Sequence, residues 1–170
     1  MNNTYLIGMR GVGKTTIGKL LAKKLQREFF DMDEWIGKEE DVAIADLVKK
    51  KGWDFFRNLE REAIHELSQK NNAIISTGGG VLQYFDNAKK LKETGKLLHL
   101  TASVVTLEKR LREQTERPSI TGIDPLDELA TLWKSRRPVY EENADLVIDT
   151  EGKSVEKIVN ETVKLLKFQK

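Results

Sequence analysis

Short apolar runs alternate along the whole chain with longer segments whose apolar residues recur every three or four positions. TYLIG at 4–8 precedes a helical pattern from Lys14 to about Arg27, and FFD at 29–31 precedes apolar spacing through Ile36, Ile44, Leu47 and Val48. A helix near Phe55–Lys70 follows, then the strand AIIST at 73–77, a helix near Phe85–Thr94 and the strand KLLHL at 96–100. Helices at Val104–Gln114 and near Leu126–Glu142, the strand DLVID at 145–149 and a last helix at Val155–Lys167 complete the series. Strands alternating with helices predict an α/β fold whose parallel sheet is covered on both faces. Ligands of such sheets sit at the carboxyl ends of the strands, so chemistry is expected just after each apolar run.

Composition narrows the classes. The 170 residues contain no repeat, low-complexity tract or linker, which predicts a single domain over 1–170. A chain of that size buries roughly 70% of its unfolded surface and needs no staple. With no cysteine there is no disulfide, thiolate metal site or cysteine nucleophile. Twenty-nine Lys and Arg against 27 Asp and Glu leave a net charge of +2, too little for a nucleic-acid-binding stripe. No apolar run approaches the roughly 18 residues of a membrane span, and TYLIG is too short for the core of a signal peptide. The expectation is a cytoplasmic protein with neither nucleic acid nor membrane as partner.

The first strand ends in GMRGVGKTT, residues 8–16. Gly8, Gly11 and Gly13 let the backbone wrap an anion with its N–H groups inward, while the helix starting at Lys14 aims its positive end at the same point. Lys14 reaches the terminal phosphates, and the Thr15 hydroxyl is placed to ligate Mg²⁺. GxxxxGK[ST] between a strand and a helix is far more specific than a glycine-rich turn, and it predicts nucleoside triphosphate binding. An N-K-x-D-like guanine-reading motif is absent, which argues against a switch GTPase. A small-molecule kinase needs in addition a charged acceptor pocket and a mobile cover.

Four further stretches are candidates for those parts. Asp31 and Asp33 in FFDMDEW share one side if the strand continues through them, as a metal site, an acid/base pair or a solvated turn. In FFRNLERE, residues 55–62, Arg57, Glu60 and Arg61 lie at helical spacing; the run reads either as a solvated face or, because two aromatics precede Arg57, as a guanidinium anchor for a carboxylate. Gly78, Gly79 and Gly80 in ISTGGGV end a strand, where missing side chains allow close ligand approach as well as a loose turn. RLREQTERPSITGIDP, residues 110–125, leaves a helical pattern, carries Arg110, Arg112 and Arg117 and holds Pro118 and Pro125, and it fits a lid or an ordinary loop. In SRRPVYEE, residues 135–142, the adjacent arginines point apart, so at most one faces a pocket.

Taken in order, these motifs resemble the shikimate kinase family. GMRGVGKTT, DMD, G-x-x-x-F-R-x-x-E at Gly52, Phe56, Arg57 and Glu60, TGGG at 77–80, Arg117-Pro118, and R-x-P-x-Y at Arg136, Pro138 and Tyr140 carry the likeness from Thr4 to about Thr150. The resemblance implies a P-loop kinase, three-layer αβα, with a five-stranded parallel sheet in order 2-3-1-4-5, an acceptor-binding helical segment at about 33–61 and a mobile lid at about 112–124. It implies ATP contacts from Gly11, Val12, Gly13, Lys14, Thr15 and Thr16, with Arg110 stacked on adenine and Arg117 at the phosphates. It implies that shikimate is held by Asp33 at its ring hydroxyls, by Arg57 and Arg136 at its carboxylate, and by Gly78, Gly79 and Gly80. Mg²⁺ is expected on Thr15, with Asp31 acting through metal-bound water. Lys14, Asp33 and Arg117 are the expected catalytic residues of an in-line phosphoryl transfer by a monomer, with Asp33 orienting the acceptor hydroxyl or taking its proton.

The chain departs from that pattern at Trp53, where a glutamate is usual, at Val48, where a phenylalanine is common, and at Ser119-Ile120 in place of two leucines. These positions bear on pocket walls and lid packing. A gluconate-type kinase would not require Arg57 and Arg136 together with DMD and TGGG. A non-catalytic relative would have lost Lys14, Asp33 or Arg136, and a nucleotide kinase would need a base-reading acceptor pocket. His65, on a helical pattern, and His99, in an apolar strand, are expected to be structural.

Overall fold

The computed structural model describes residues 2–113 and 125–168. Five strands form one sheet: β1 (Asn3–Ile7), β2 (Phe29–Asp31), β3 (Ile74–Ser76), β4 (Gly95–Thr101) and β5 (Leu146–Asp149). Every pairing is parallel, and the order is β2-β3-β1-β4-β5. The helices are α1 (Lys14–Leu25), α2 (Met32–Glu39), α3 (Ile44–Ser68), α4 (Phe85–Thr94), α5 (Val104–Arg112), α6 (Pro125–Asn143) and α7 (Val155–Phe168), with a 3₁₀ turn at Val81–Gln83.

All five residues of β1 are buried, as a central parallel strand covered on both faces requires. Successive side chains of β1 point to opposite layers. Leu6 faces α1, where a Cβ on Gly18 would lie 2.9 Å from its Cδ1, whereas the Tyr5 hydroxyl meets Thr94 Oγ1 of α4 at 2.7 Å. Helices α1 and α7 pack together, and α4 and α6 contact β4. The three-layer arrangement and strand order expected from the family resemblance are therefore present.

Two local boundaries decide how the site is assembled: β2 spans Phe29–Asp31, as FFD predicts, and a break at Gly52 separates the helical spacing through Val48 from the helix near Phe55. The strand containing Phe29 does not run on to Asp33: β2 ends at Asp31, whose Oδ1 accepts the backbone N–H groups of Asp33 and Glu34 and caps α2. An aspartate before a helical run stabilises the first turn of a helix better than it continues a strand, so the period-two argument for pairing the two acids fails. Helix α3 begins well before Phe55 but is broken at Gly52, with φ 82° and ψ 172°. Only glycine adopts that conformation without strain, and the break starts a new helical segment at Trp53.

Candidate active site

The loop from Gly8 to Gly13 links β1 to α1, and its three glycines all have positive φ. Gly13 caps α1 with φ 100°, the cap makes no side-chain hydrogen bond, and the first turn carries no acidic residue. The positive end of α1 thus remains open to an anion. Lys14 Nζ donates to the carbonyls of Gly8 at 2.8 Å and Met9 at 3.0 Å, bridging the loop it must serve. Val12 is buried, so it offers a ligand only its backbone; Gly11 is half-buried and Thr16, on the first turn of α1, is exposed.

Thr15 Oγ1 donates to Asp31 Oδ2 at 2.7 Å. Because the hydroxyl proton is spent on Asp31, the Thr15 oxygen presents its lone pairs elsewhere, which suits a hard cation. Asp31 engages one oxygen with Thr15 and the other with the start of α2. These residues fit Mg²⁺ through a single hydroxyl with a carboxylate behind it. Among the described residues no cluster of three or more His, Cys, Asp or Glu is able to hold a metal, so a bound Mg²⁺ would need phosphate oxygens and water to complete its ligands.

The glycine run after β3 is the meeting point of Asp33, Arg57 and Arg136, the side chains expected at the acceptor. A Cβ on Gly80 would lie 2.7 Å from Arg57 Nη2, and one on Gly78 would lie 2.5 Å from Glu60 Oε1 and 3.5 Å from Asp33 Oδ1. A Cβ on Gly79 would lie 3.4 Å from Arg136 Nη1 and 3.5 Å from the backbone nitrogen of Arg10 in the phosphate loop. Three consecutive residues without side chains therefore let α2, α3, α6 and the phosphate loop converge. A loose turn would need no such convergence.

Of the adjacent arginines, Arg136 is buried, whereas Arg137 is over half exposed and pairs with Glu141 at 2.7 Å. Arg57 and Glu60 form an ion pair that is 15% and 1% exposed at its two side chains, so this part of the charge run is not a solvated face. Burial raises the Glu60 carboxyl above its ordinary range, while the Arg57 charge and hydrogen bond pull it down. Glu60 was part of the motif but had no assigned role; its i,i+3 spacing from Arg57 is a signal shared with many surface pairs.

Tyr140 likewise enters the sequence pattern only through the R-x-P-x-Y motif. Its hydroxyl donates to the carbonyl of Gly79 and approaches Met9 Sδ at 3.8 Å, tying α6 to the glycine run and the phosphate loop. Burial pushes its phenol up to about 12, so it remains a donor. His99 lies beneath it in β4, with ring centroids 5.0 Å apart, and among the described residues neither imidazole nitrogen has a hydrogen-bond partner. Burial lowers its pKa to about 4, consistent with a neutral structural ring.

Arg110, on α5, donates to the carbonyl of Val12 at 3.3 Å and to Thr150 Oγ1 and O, both at 3.1 Å. Its guanidinium is thereby held beside the phosphate loop. Arg117, Pro118, Ser119 and the lid core from residue 114 to 124 lie outside the described residues.

A phosphate loop, a hydroxyl–carboxylate pair and an acceptor pocket lined by arginines at the carboxyl ends of a 2-3-1-4-5 sheet define a P-loop phosphotransferase for a small anionic acceptor. The model of the shikimate kinase family matches residues 10–167. A shikimate kinase of Thermodesulfovibrio yellowstonii is 40% identical over 164 residues, covering 96% of this chain and 94% of its own. The structure of shikimate kinase from Acinetobacter baumannii in complex with shikimate has a TM-score of 0.94 at 31% identity, covering 100% of this chain and 95% of that one. A gluconokinase from Sinorhizobium meliloti, at 16% identity and a TM-score of 0.60, shares the fold alone. The chain belongs to the shikimate kinase family.

Proposed function

We infer that the chain transfers the γ-phosphate of ATP to the 3-hydroxyl of shikimate, giving shikimate 3-phosphate for aromatic amino-acid biosynthesis. The observation that carries this reading is the convergence of Asp33, Arg57 and Arg136 on Gly78–Gly80, beside the phosphate loop. Two guanidinium groups match the acceptor's carboxylate, and a half-buried aspartate matches its ring hydroxyls.

In this mechanism the N–H groups of Gly11, Val12 and Gly13 and the start of α1, through Thr15 and Thr16, hold the β- and γ-phosphates. Lys14 exchanges its two carbonyl partners for phosphate oxygens, and Arg117 meets the same charge from the lid. Mg²⁺, when bound at Thr15 with Asp31 behind it, supplies further charge neutralisation. Arg110 lies flat against adenine. Arg57 and Arg136 fix the carboxylate, Gly78, Gly79 and Gly80 leave room for the ring, and Asp33 orients the 3-hydroxyl and accepts its proton as the in-line attack proceeds. Closure of the lid, at about 112–124, excludes water from the phosphoryl group.

One domain, 1–170, contributes every assigned contact, which suits action as a monomer, and dependence on ATP suits the cytoplasm. An ADP-release assay with shikimate, gluconate and nucleoside monophosphates tests the reading. Turnover is expected with shikimate alone; faster turnover with either of the others overturns it.

A further inference from the structure

Trp53 stands where the family pattern has a glutamate, and the reaction just described does not use it. The break at Gly52 makes it the first residue of the second segment of α3, four positions before Arg57. One helical turn then brings its ring under the Arg57 guanidinium, with Cζ 5.2 Å from the ring centroid. Phe56 stands edge-on to Trp53, with centroids 5.7 Å apart at 85°, and its own ring lies 5.6 Å from the same guanidinium. Glu60 takes Nη1, and the Nη edge faces Gly80.

A single ion pair lets a guanidinium swing about the contact. Two rings set nearly at right angles to each other, both within about 6 Å of Cζ, restrict that freedom, and they attract the cation without neutralising it. We propose that Trp53 is a positioning residue for the acceptor's carboxylate, holding the plane of Arg57 so that its N–H fork meets the substrate already aligned. The role rests on the reading that Arg57 binds that carboxylate. Trp53 is half-buried and packs against the core, so its contribution must be separated from simple packing.

Trp53→Leu and Trp53→Phe are compared by steady-state kinetics with shikimate and with its methyl ester, which lacks the carboxylate charge. Trp53→Leu is expected to raise the shikimate KM about five- to tenfold. Its kcat, its ATP KM and its KM for the ester are expected to stay within about twofold of the parent. Trp53→Phe keeps a ring face and is expected to recover most of the loss. A shikimate KM in Trp53→Leu within about twofold of the parent overturns the proposal, as does equal impairment of the Leu and Phe variants or an equal rise for the ester. Arg57→Lys separates the two levels of the argument. If it raises the shikimate KM while Trp53→Leu does not, only the role of Trp53 fails; if neither raises it, the assignment of the carboxylate to Arg57 fails as well.

Discussion

Gly80→Ala isolates the geometry of the acceptor pocket from the stability of the fold. Gly80 has φ −100° and ψ 3°, in the bridge region that alanine also occupies, so the substitution carries little backbone strain. The new methyl would sit 2.7 Å from Nη2 and 2.8 Å from Nη1 of Arg57. An unstrained contact needs about 3.5 Å, so the guanidinium must retreat by about 0.8 Å. It is the far end of a long side chain and can yield, but it is also held by Glu60 and by the rings of Trp53 and Phe56. The stability cost should therefore stay below about 1 kcal/mol, a Tm decrease of no more than about 4 °C. Function should suffer more, because a misplacement of about 1 Å in a binding group can cost up to about 100-fold. A rise of about 10- to 50-fold in the shikimate KM, with the ATP KM unchanged, is the expected result in a coupled ADP-release assay. A shikimate KM within about twofold of the parent, at unchanged Tm, would refute the reasoning.

Asp33→Asn keeps shape and hydrogen bonding but loses the base, so kcat should fall by about 100-fold or more; near-normal turnover shows that positioning alone suffices. Arg136→Lys should raise the shikimate KM about tenfold through loss of a bidentate contact, and an unchanged KM removes Arg136 from the acceptor site. Tyr140→Phe leaves the carbonyl of Gly79 without its donor, at a cost of about 1–2 kcal/mol and a Tm lower by about 3–6 °C in thermal melts. His99 binds its proton at about 6.5 in the unfolded chain but at about 4 when folded, chiefly through burial, with Glu141 raising it and Lys14 lowering it. Between those values the unfolded state binds more protons, so its contribution is intact above pH 6.5 and is lost as pH falls toward 4. The full shift corresponds to about 3 kcal/mol, reduced to about 2 by solvent screening. His99→Gln should flatten the fall in denaturant midpoint over that window, and an identical pH profile would count against a buried neutral imidazole.

The sheet was legible because its central strands β1, β3 and β4 are almost wholly buried and therefore written as apolar runs; β1 and β4 lie within a residue or two of TYLIG and KLLHL. The strand order was not legible in that way. Periodicity reports which face a residue presents to its own neighbours and says nothing about which strand lies beside it, so the order 2-3-1-4-5 came only through the family resemblance. The break in α3 was legible in outline: helical spacing through Val48 and a separate helix near Phe55 leave a gap around Gly52, but the positive φ that makes the turn is not written in the pattern. Glu60 was passed over for a related reason. Its helical spacing from Arg57 is that of a surface pair, and only the third dimension, which places its carboxylate against Gly78, buries it.

FFDMDEW shows most clearly how a local pattern becomes a division of labour. Two-residue spacing alone would make Asp31 and Asp33 a symmetric pair on one strand face. The strand ends at Asp31, which caps α2 with one oxygen and takes the Thr15 hydroxyl on the other. Because that oxygen is committed to the phosphate loop, Asp31 belongs to the nucleotide side. Asp33 follows on the first turn of α2, where helical rather than extended geometry turns it toward Gly78 and the arginines. Had the strand continued, both carboxylates would face one partner and compete for it. Ending the strand at the first acid gives each carboxylate its own, which is what a reaction joining a phosphoryl donor to a separate acceptor requires.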